Sequence, residues 1–287
     1  MPVQHTKLLS FMLIFTLAAT LSITPAFSVP DNANSKAQEM AVVSIPENAR
    51  QIGDGVFDLG YKVHEGKIVQ GTLFVFSEQE FAKPSGTPGN GNGKGGNGGG
   101  DETSSCYSYI TKGAKWRAEE PWNVSTLNAP SGIDVTGILV NAVNQWENAD
   151  TPANQIMSSL DSSIIVDVTS IGNSLNNQNE VAFGDIDEEG VIAATWVWRT
   201  TSGPPHERYI AEWDQLYDVT SFSWSSTGDS NSMDFDNIAT HEVGHAVGMG
   251  HPESTCTEET MYAYAANGEI IKRDLHAGDI AGVNGLY

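Results

Sequence analysis

His241-Glu242-Val243-Gly244-His245-Ala246-Val247-Gly248-Met249-Gly250-His251 is the stretch from which the rest of the chain can be read. Two histidines four apart lie one turn apart on one helical face. Both imidazoles can therefore reach a single ion at about 2.0–2.1 Å, while Glu242 points into the space above it. Gly248 lets the chain leave the helix through a left-handed conformation that a Cβ would penalise, and the turn brings His251 round as a third ligand. Three neutral nitrogens leave the fourth tetrahedral position to water, the arrangement of a catalytic zinc site with Glu242 as its base. For a chain of this composition the pattern HExxH arises by chance about once in a hundred chains. Adding the fixed Gly and the third His lowers that to the order of 10⁻⁵.

The zinc helix is expected over 233–249. Upstream, Ile133, Ile138, Leu139, Ala142, Val143 and Trp146 recur at helical spacing, which predicts an amphipathic helix over 132–149. Between the two, 163–168, 181–183, 191–198 and 209–213 are β-branched and aromatic runs bounded by turn residues, and read as strands. A last helix is expected over 278–286. Helix, strands, helix and a closing helix make an α+β order. Ahead of this domain, 84–100 reads PSGTPGNGNGKGGNGGG, with 9 glycines and no large apolar side chain, the composition of a flexible linker. Further upstream, two β-prone runs in 60–76 flank Glu65-Gly66 as in a hairpin; a piece this small is marginal unless it docks on something larger.

The residues around the motif resemble the metzincin zinc endopeptidases, whose signature is HExxHxxGxxH followed by a methionine turn. Thr260-Met261-Tyr262 looks like that turn. The stretch 275–287 is similar to the closing helix of the matrixin branch, and the resemblance runs over about 106–287. Cys106 and 256–264 look most like the small secreted matrixin-like proteases of archaea and bacteria. The resemblance implies a metzincin catalytic domain with a twisted, mostly parallel sheet. It also implies one catalytic Zn2+ on His241, His245 and His251, and hydrolysis of peptide bonds by a zinc-activated water with Glu242 as general base. Met261 would be a packing floor under the metal rather than a ligand. Substrate would pair with an edge strand around Ala193, Ala194 and Thr195. Tyr262 and Tyr264 are read as wall packing, although a tyrosine just past the methionine touches the metal in astacin-like relatives. The chain lacks a cysteine-switch motif, and His64 and His206 are too isolated to build a second zinc site. A calcium ion is conceivable at 184–190, but a solvated acidic loop is the plainer reading.

The chain carries 14 Lys+Arg against 36 Asp+Glu, a formal charge of −22. That excludes nucleic acid and membrane surfaces as partners and favours a monodisperse, monomeric chain acting on polypeptide. The start has the form of a signal peptide over 1–28, with Ala26 and Ser28 before a cut ahead of Val29. This points to secretion and to an oxidising environment in which the two cysteines, Cys106 and Cys256, can pair as a disulfide; the alternative is Cys106 as a thiolate on the zinc. The expected organisation is a signal peptide over 1–28, an N-terminal segment over 29–84 that could serve as a propeptide, a linker over 85–101 and a catalytic domain over 102–287. A rival reading is a non-catalytic secreted binding module that retains the zinc as a structural element. The presence of Glu242 speaks for the enzyme.

Overall fold

The computed structural model describes residues 40–79, 105–149, 156–172 and 175–287. The expected signal peptide and glycine linker lie outside the described residues. In chain order the strands are β1 Ala41–Val43, β2 Arg50–Gly53, β3 Val56–His64, β4 Lys67–Glu78, β5 Ser108–Tyr109, β6 Glu120–Val124 and β7 Met157–Leu160. They continue as β8 Glu180–Ile186, β9 Val191–Arg199, β10 Ile210–Asp218, β11 Trp224–Ser225, β12 Met233–Asp234, β13 Met249–Gly250 and β14 Tyr264–Ala265. The helices are α1 Val135–Ala149, α2 Phe235–Ala246 and α3 Ala277–Leu286. No helix among the described residues is long and apolar enough to cross a membrane.

The main sheet runs β2-β3-β4-β9-β10-β8-β6-β7, with β1 also on β8 and β14 on β4. The α+β class holds. Within the part of the chain after residue 105, β7, β6, β8 and β10 are mutually parallel and β9 is antiparallel to β10. The whole sheet is mixed, because the N-terminal hairpin strands join it antiparallel. A two-residue connection permits no other pairing: Glu65 (φ 47°) and Gly66 (φ 76°) turn the β3–β4 hairpin in the left-handed conformations that such tight turns require.

The helices pack on one face. Val135, Leu139, Ala142, Val143 and Trp146 form the buried stripe of α1, and the Trp146 indole donates to the Thr240 carbonyl of α2 at 2.8 Å. Asp234 caps α2 by accepting from the Asn237 amide at 3.1 Å. The opposite face holds a second cluster, with Leu73, Val75, Ala194, Trp196 and Leu216 under Ile171.

One expected strand is absent. Residues 163–168 form turns and irregular backbone, and the strand of this region is β7, just before them. Asp161 accepts from the Ser163 amide at 2.9 Å, and Asp167 from the Thr169 amide at 3.1 Å and its hydroxyl at 2.7 Å. These local bonds give the backbone an alternative to a ladder, and Ile165 is left 84% exposed.

Candidate metal centre

α2 presents His241 and His245 one turn apart, both fully buried with Glu242. Gly248 follows at φ 107°, with its amide on the His245 carbonyl. A Cβ there would press on Leu286, so both the backbone angle and the packing call for glycine. The chain then passes through β13, paired with β5, and delivers His251. Nitrogens of His241, His245 and His251 lie within 4.8 Å of one another, the one such group of His, Cys, Asp or Glu among the described residues.

Every ring is oriented by a backbone carbonyl. His241 Nδ1 is 2.7 Å from the Thr260 oxygen, His245 Nδ1 2.9 Å from that of Met249, and His251 Nδ1 3.0 Å from that of Asp54. A carbonyl only accepts, so each Nδ1 holds the proton and each Nε2 turns a lone pair inward. His245 Nε2 and His251 Nε2 are 3.1 Å apart, close to the ~3.3 Å that two nitrogens subtend at a tetrahedral zinc. His241 Nε2 is buried without a hydrogen-bond partner. Converging lone pairs repel unless a cation lies between them, so the donor set fits zinc. Burial, then the neighbouring imidazoles, hold His241 and His245 well below the usual imidazole range; burial brings His251 down to about 4. All three are neutral at pH 7, the form that ligates.

Glu242 Oε2 accepts from the Thr195 hydroxyl of β9, and Oε1 has no partner. Burial pushes this carboxyl up to about 8, with the Thr195 bond opposing it. Met261 is fully buried, with its sulfur against Gly244 of α2. A Cβ at Gly244 would strike its sulfur and the Trp146 ring, which accounts for glycine just before the second histidine. The turn carrying Met261 is fastened by Asp279 of α3, which accepts from the Thr260 amide at 2.8 Å and the Met261 amide at 3.2 Å. Tyr262 and Tyr264 pack on one another at 5.7 Å.

Cys106 and Cys256 form a disulfide, with Cα atoms 5.6 Å apart, so Cys106 is not a thiolate on the metal. It ties the segment just before β5 to the loop between His251 and Met261. In 184–190, the Asp185 carboxylate takes the Thr220 hydroxyl at 2.5 Å, and the described residues assemble no metal-binding carboxylate group there. His206 is exposed on the surface and His64 closes the β3–β4 hairpin, and neither belongs to a metal-binding group among the described residues.

Ala193, Ala194 and Thr195 lie on β9 as expected, but β9 is not an edge. Its outer side is hydrogen-bonded along β4 from Gln70↔Arg199 to Ser77↔Val191. From β4, Phe76 stacks on His241 with centroids 3.8 Å apart and 7° between the planes, and Phe74 stacks on His245 at 4.0 Å and 14°. Sequence reasoning found the histidines, Glu242 and Met261, but not Phe74, Phe76, Asp279 or the side-chain role of Thr195. Only the alternation of Phe74 and Phe76 was available as a signal, and it says nothing of what they face.

Residues 114–287, more than half of the chain, match the Peptidase_M10 family, described as Matrixin; the chain belongs to this family of metalloproteases. It is also similar to metalloendoproteinase 2-MMP of Arabidopsis thaliana, 31% identical over 84 residues. That match covers 29% of this chain and 21% of the plant protein. Matrixin membership implies zinc, and the three histidines are the group that could hold it.

Proposed function

We propose that this matrixin is a secreted zinc endopeptidase in which Glu242 is the general base. The observation that carries the reading is the unpartnered Glu242 Oε1 beside three inward-facing imidazole nitrogens. A zinc ion on those nitrogens supplies Lewis acidity toward water and toward a peptide carbonyl. Glu242 accepts the proton of the attacking water and returns it to the amine that leaves, which closes the proton balance of hydrolysis. Thr195 holds the other carboxylate oxygen, so Oε1 is the one that works. The carbonyls of Thr260, Met249 and Asp54 keep the rings in one tautomer, as groups outside a ligand sphere commonly do. The test is elemental analysis together with hydrolysis of unfolded casein after limited proteolysis within 85–101. One zinc per chain, and activity lost with a chelator and restored by Zn2+, is expected. A chain that binds zinc yet leaves casein intact before and after the cut would return the site to a structural role. Export is checked separately, by an exported chain that begins at Val29.

A further inference from the structure

Arg199, the last residue of β9, is a buried cation without a counter-ion. It is 4% exposed. Its Nε donates to the Thr111 hydroxyl at 2.8 Å, Nη1 to the Gln70 carbonyl at 3.0 Å and Nη2 to the Ile110 carbonyl at 3.3 Å. All three acceptors are neutral, and no carboxylate of the described residues lies within ion-pair distance. A guanidinium has five N–H groups, so one on each terminal nitrogen is left over. Burial brings the group down to about 10, with Asp58 and Tyr61 opposing, and it is charged at pH 7. A buried cation with no opposite charge is costly to keep.

Arg199 lines a cavity of about 180 Å³ together with His251, Phe74, Thr72 and Ser108. The Thr72 hydroxyl is buried with no hydrogen-bond partner. The cavity is smaller than the roughly 300–1,000 Å³ of a site for a whole ligand, and suits a single side chain. Two sets of donors without acceptors therefore line a small space beside one of the metal-site histidines.

We propose that this cavity is a carboxylate pocket: Arg199 receives the side chain of an aspartate or glutamate of the polypeptide substrate next to the metal centre, so that acidic sequences are preferred. The inference rests on the endopeptidase reading. The two oxygens of a carboxylate take the two remaining N–H groups, in bonds stronger than those Arg199 makes to neutral oxygens. An amide of the same size turns an NH2 toward the guanidinium, donor against donor, and a buried site rejects such a mismatch strongly. The approach to the pocket has the same sign. Thr200, next to Arg199, lines a larger groove with Lys67 and Arg117. Lys67 lies over the Tyr209 ring at 4.7 Å, Arg117 donates to the Arg208 carbonyl, and Arg208 donates to the Lys112 carbonyl at 2.9 Å. None of Lys67, Arg117 and Arg208 has a carboxylate of the described residues within ion-pair distance. Glu207 faces the same groove, 3.8 Å from His206. In a chain of net charge −22 this end is a local positive field that draws an acidic segment toward Arg199.

The experiment gives the form that hydrolyses casein a set of quenched fluorescent peptides. Each carries glutamate, or glutamine in its place, at one of four positions on either side of the cut. At one position or more, glutamate is expected to exceed glutamine at least tenfold in kcat/KM, and Arg199→Met should bring that ratio to about one. Arg199 also braces Ile110 and Gln70, so two milder variants keep the test independent of folding. Arg199→Lys retains the charge without the fork and should give an intermediate ratio. Lys67→Glu should slow cleavage of the glutamate peptide several-fold at low salt and much less at about 0.5 M, where the field is screened. A ratio near one at every position in the unaltered chain, or a ratio unchanged in folded Arg199→Met and Arg199→Lys, overturns the proposal while leaving the endopeptidase intact. If no form cuts any peptide, binding decides, by anisotropy of a labelled eight-glutamate peptide and its glutamine counterpart on the Glu242→Gln chain. At least tenfold tighter binding of the glutamate peptide, lost in the added Arg199→Met, supports the pocket. Equal binding of the two peptides, or binding of neither, overturns it.

Discussion

The two sides of β9 carry strands of different kinds. On one side β10 follows β9 in sequence after a short excursion, pairs with it through Tyr217↔Ala193, and belongs to the part of the chain that matches the matrixins. On the other side β4 pairs just as extensively, but it arrives from upstream of the linker and ends in a hairpin tip where Tyr61, Val63 and Ile68 are all more than 60% exposed. The inner half of the sheet is covered by α1 and α2, with His241 and His245 on α2 and His251 just past β13; the outer half covers those histidines. The same backbone hydrogen bonds can therefore build a core or lay a strand over a cluster of histidines. What separates the two cases is the chain connection and what the side chains face.

That contrast can be broken or sharpened by measurement. The largest effect is expected at the site itself: Glu242→Gln should lower the turnover of the cut enzyme by about 10²–10⁴-fold with zinc content unchanged. Metal lost along with activity would show that Glu242 supports the ligand set rather than moving a proton. Within the inner half, Trp146→Ala removes a buried indole and its bond to Thr240, and should cost about 3–5 kcal/mol in denaturant unfolding. Replacing both Cys106 and Cys256 by Ser opens a loop with a sequence separation of 150. The expected cost is about 2–5 kcal/mol, and an unchanged denaturation midpoint would show that the bridge adds nothing to stability.

A smaller effect is a pH dependence seated on β10. Burial pushes Glu212 up to about 7 and holds Asp214 well above the usual carboxylate range, with Glu212 itself adding repulsion on Asp214. Between the ordinary carboxylate range and these raised values the folded chain binds more protons than the unfolded one. Stability is then greatest at the acid end of that window and falls as pH rises through about 7. Glu212→Gln should flatten the fall between pH 5 and pH 8 by on the order of 1–3 kcal/mol, read as the difference in melting temperature at the two values. The smallest effect belongs to the outer tip: Val63→Ser should change stability by less than ~0.5 kcal/mol. A larger loss there would mean that the hairpin tip is buried against something in solution.

Legibility in the sequence followed the range of the interactions. The motif 241–251 could be read because a helix, one glycine at positive φ and a tight turn bring three histidines together through local geometry alone. The helix α1 could be read from side-chain periodicity, α3 from its likeness to the closing helix of the matrixins, and the hairpin from Glu65-Gly66 between two β-prone runs. The mistaken strand at 163–168 came from weighing isoleucine and valine above Asp161 and Asp167, whose carboxylates capture nearby amides. Asp279 could not be read as the anchor of the Met261 turn, because a carboxylate in the first turn of a helix looks like an ordinary capping residue until its distant partners are known.

By itself the sequence determined the three-histidine group with Glu242 beside it, the α+β order and the candidate cysteine pair, because each depends on residue types at short fixed spacing or on a count of two. Tertiary structure alone decided that β9 has no free edge, that Phe74 and Phe76 lie on the zinc-site histidines, and that Thr195 and Asp279 hold Glu242 and Met261. Those are contacts between segments tens to hundreds of residues apart. Many strand pairings satisfy the same hydrophobic alternation, and only the packing of the whole sheet against α2 selects one of them.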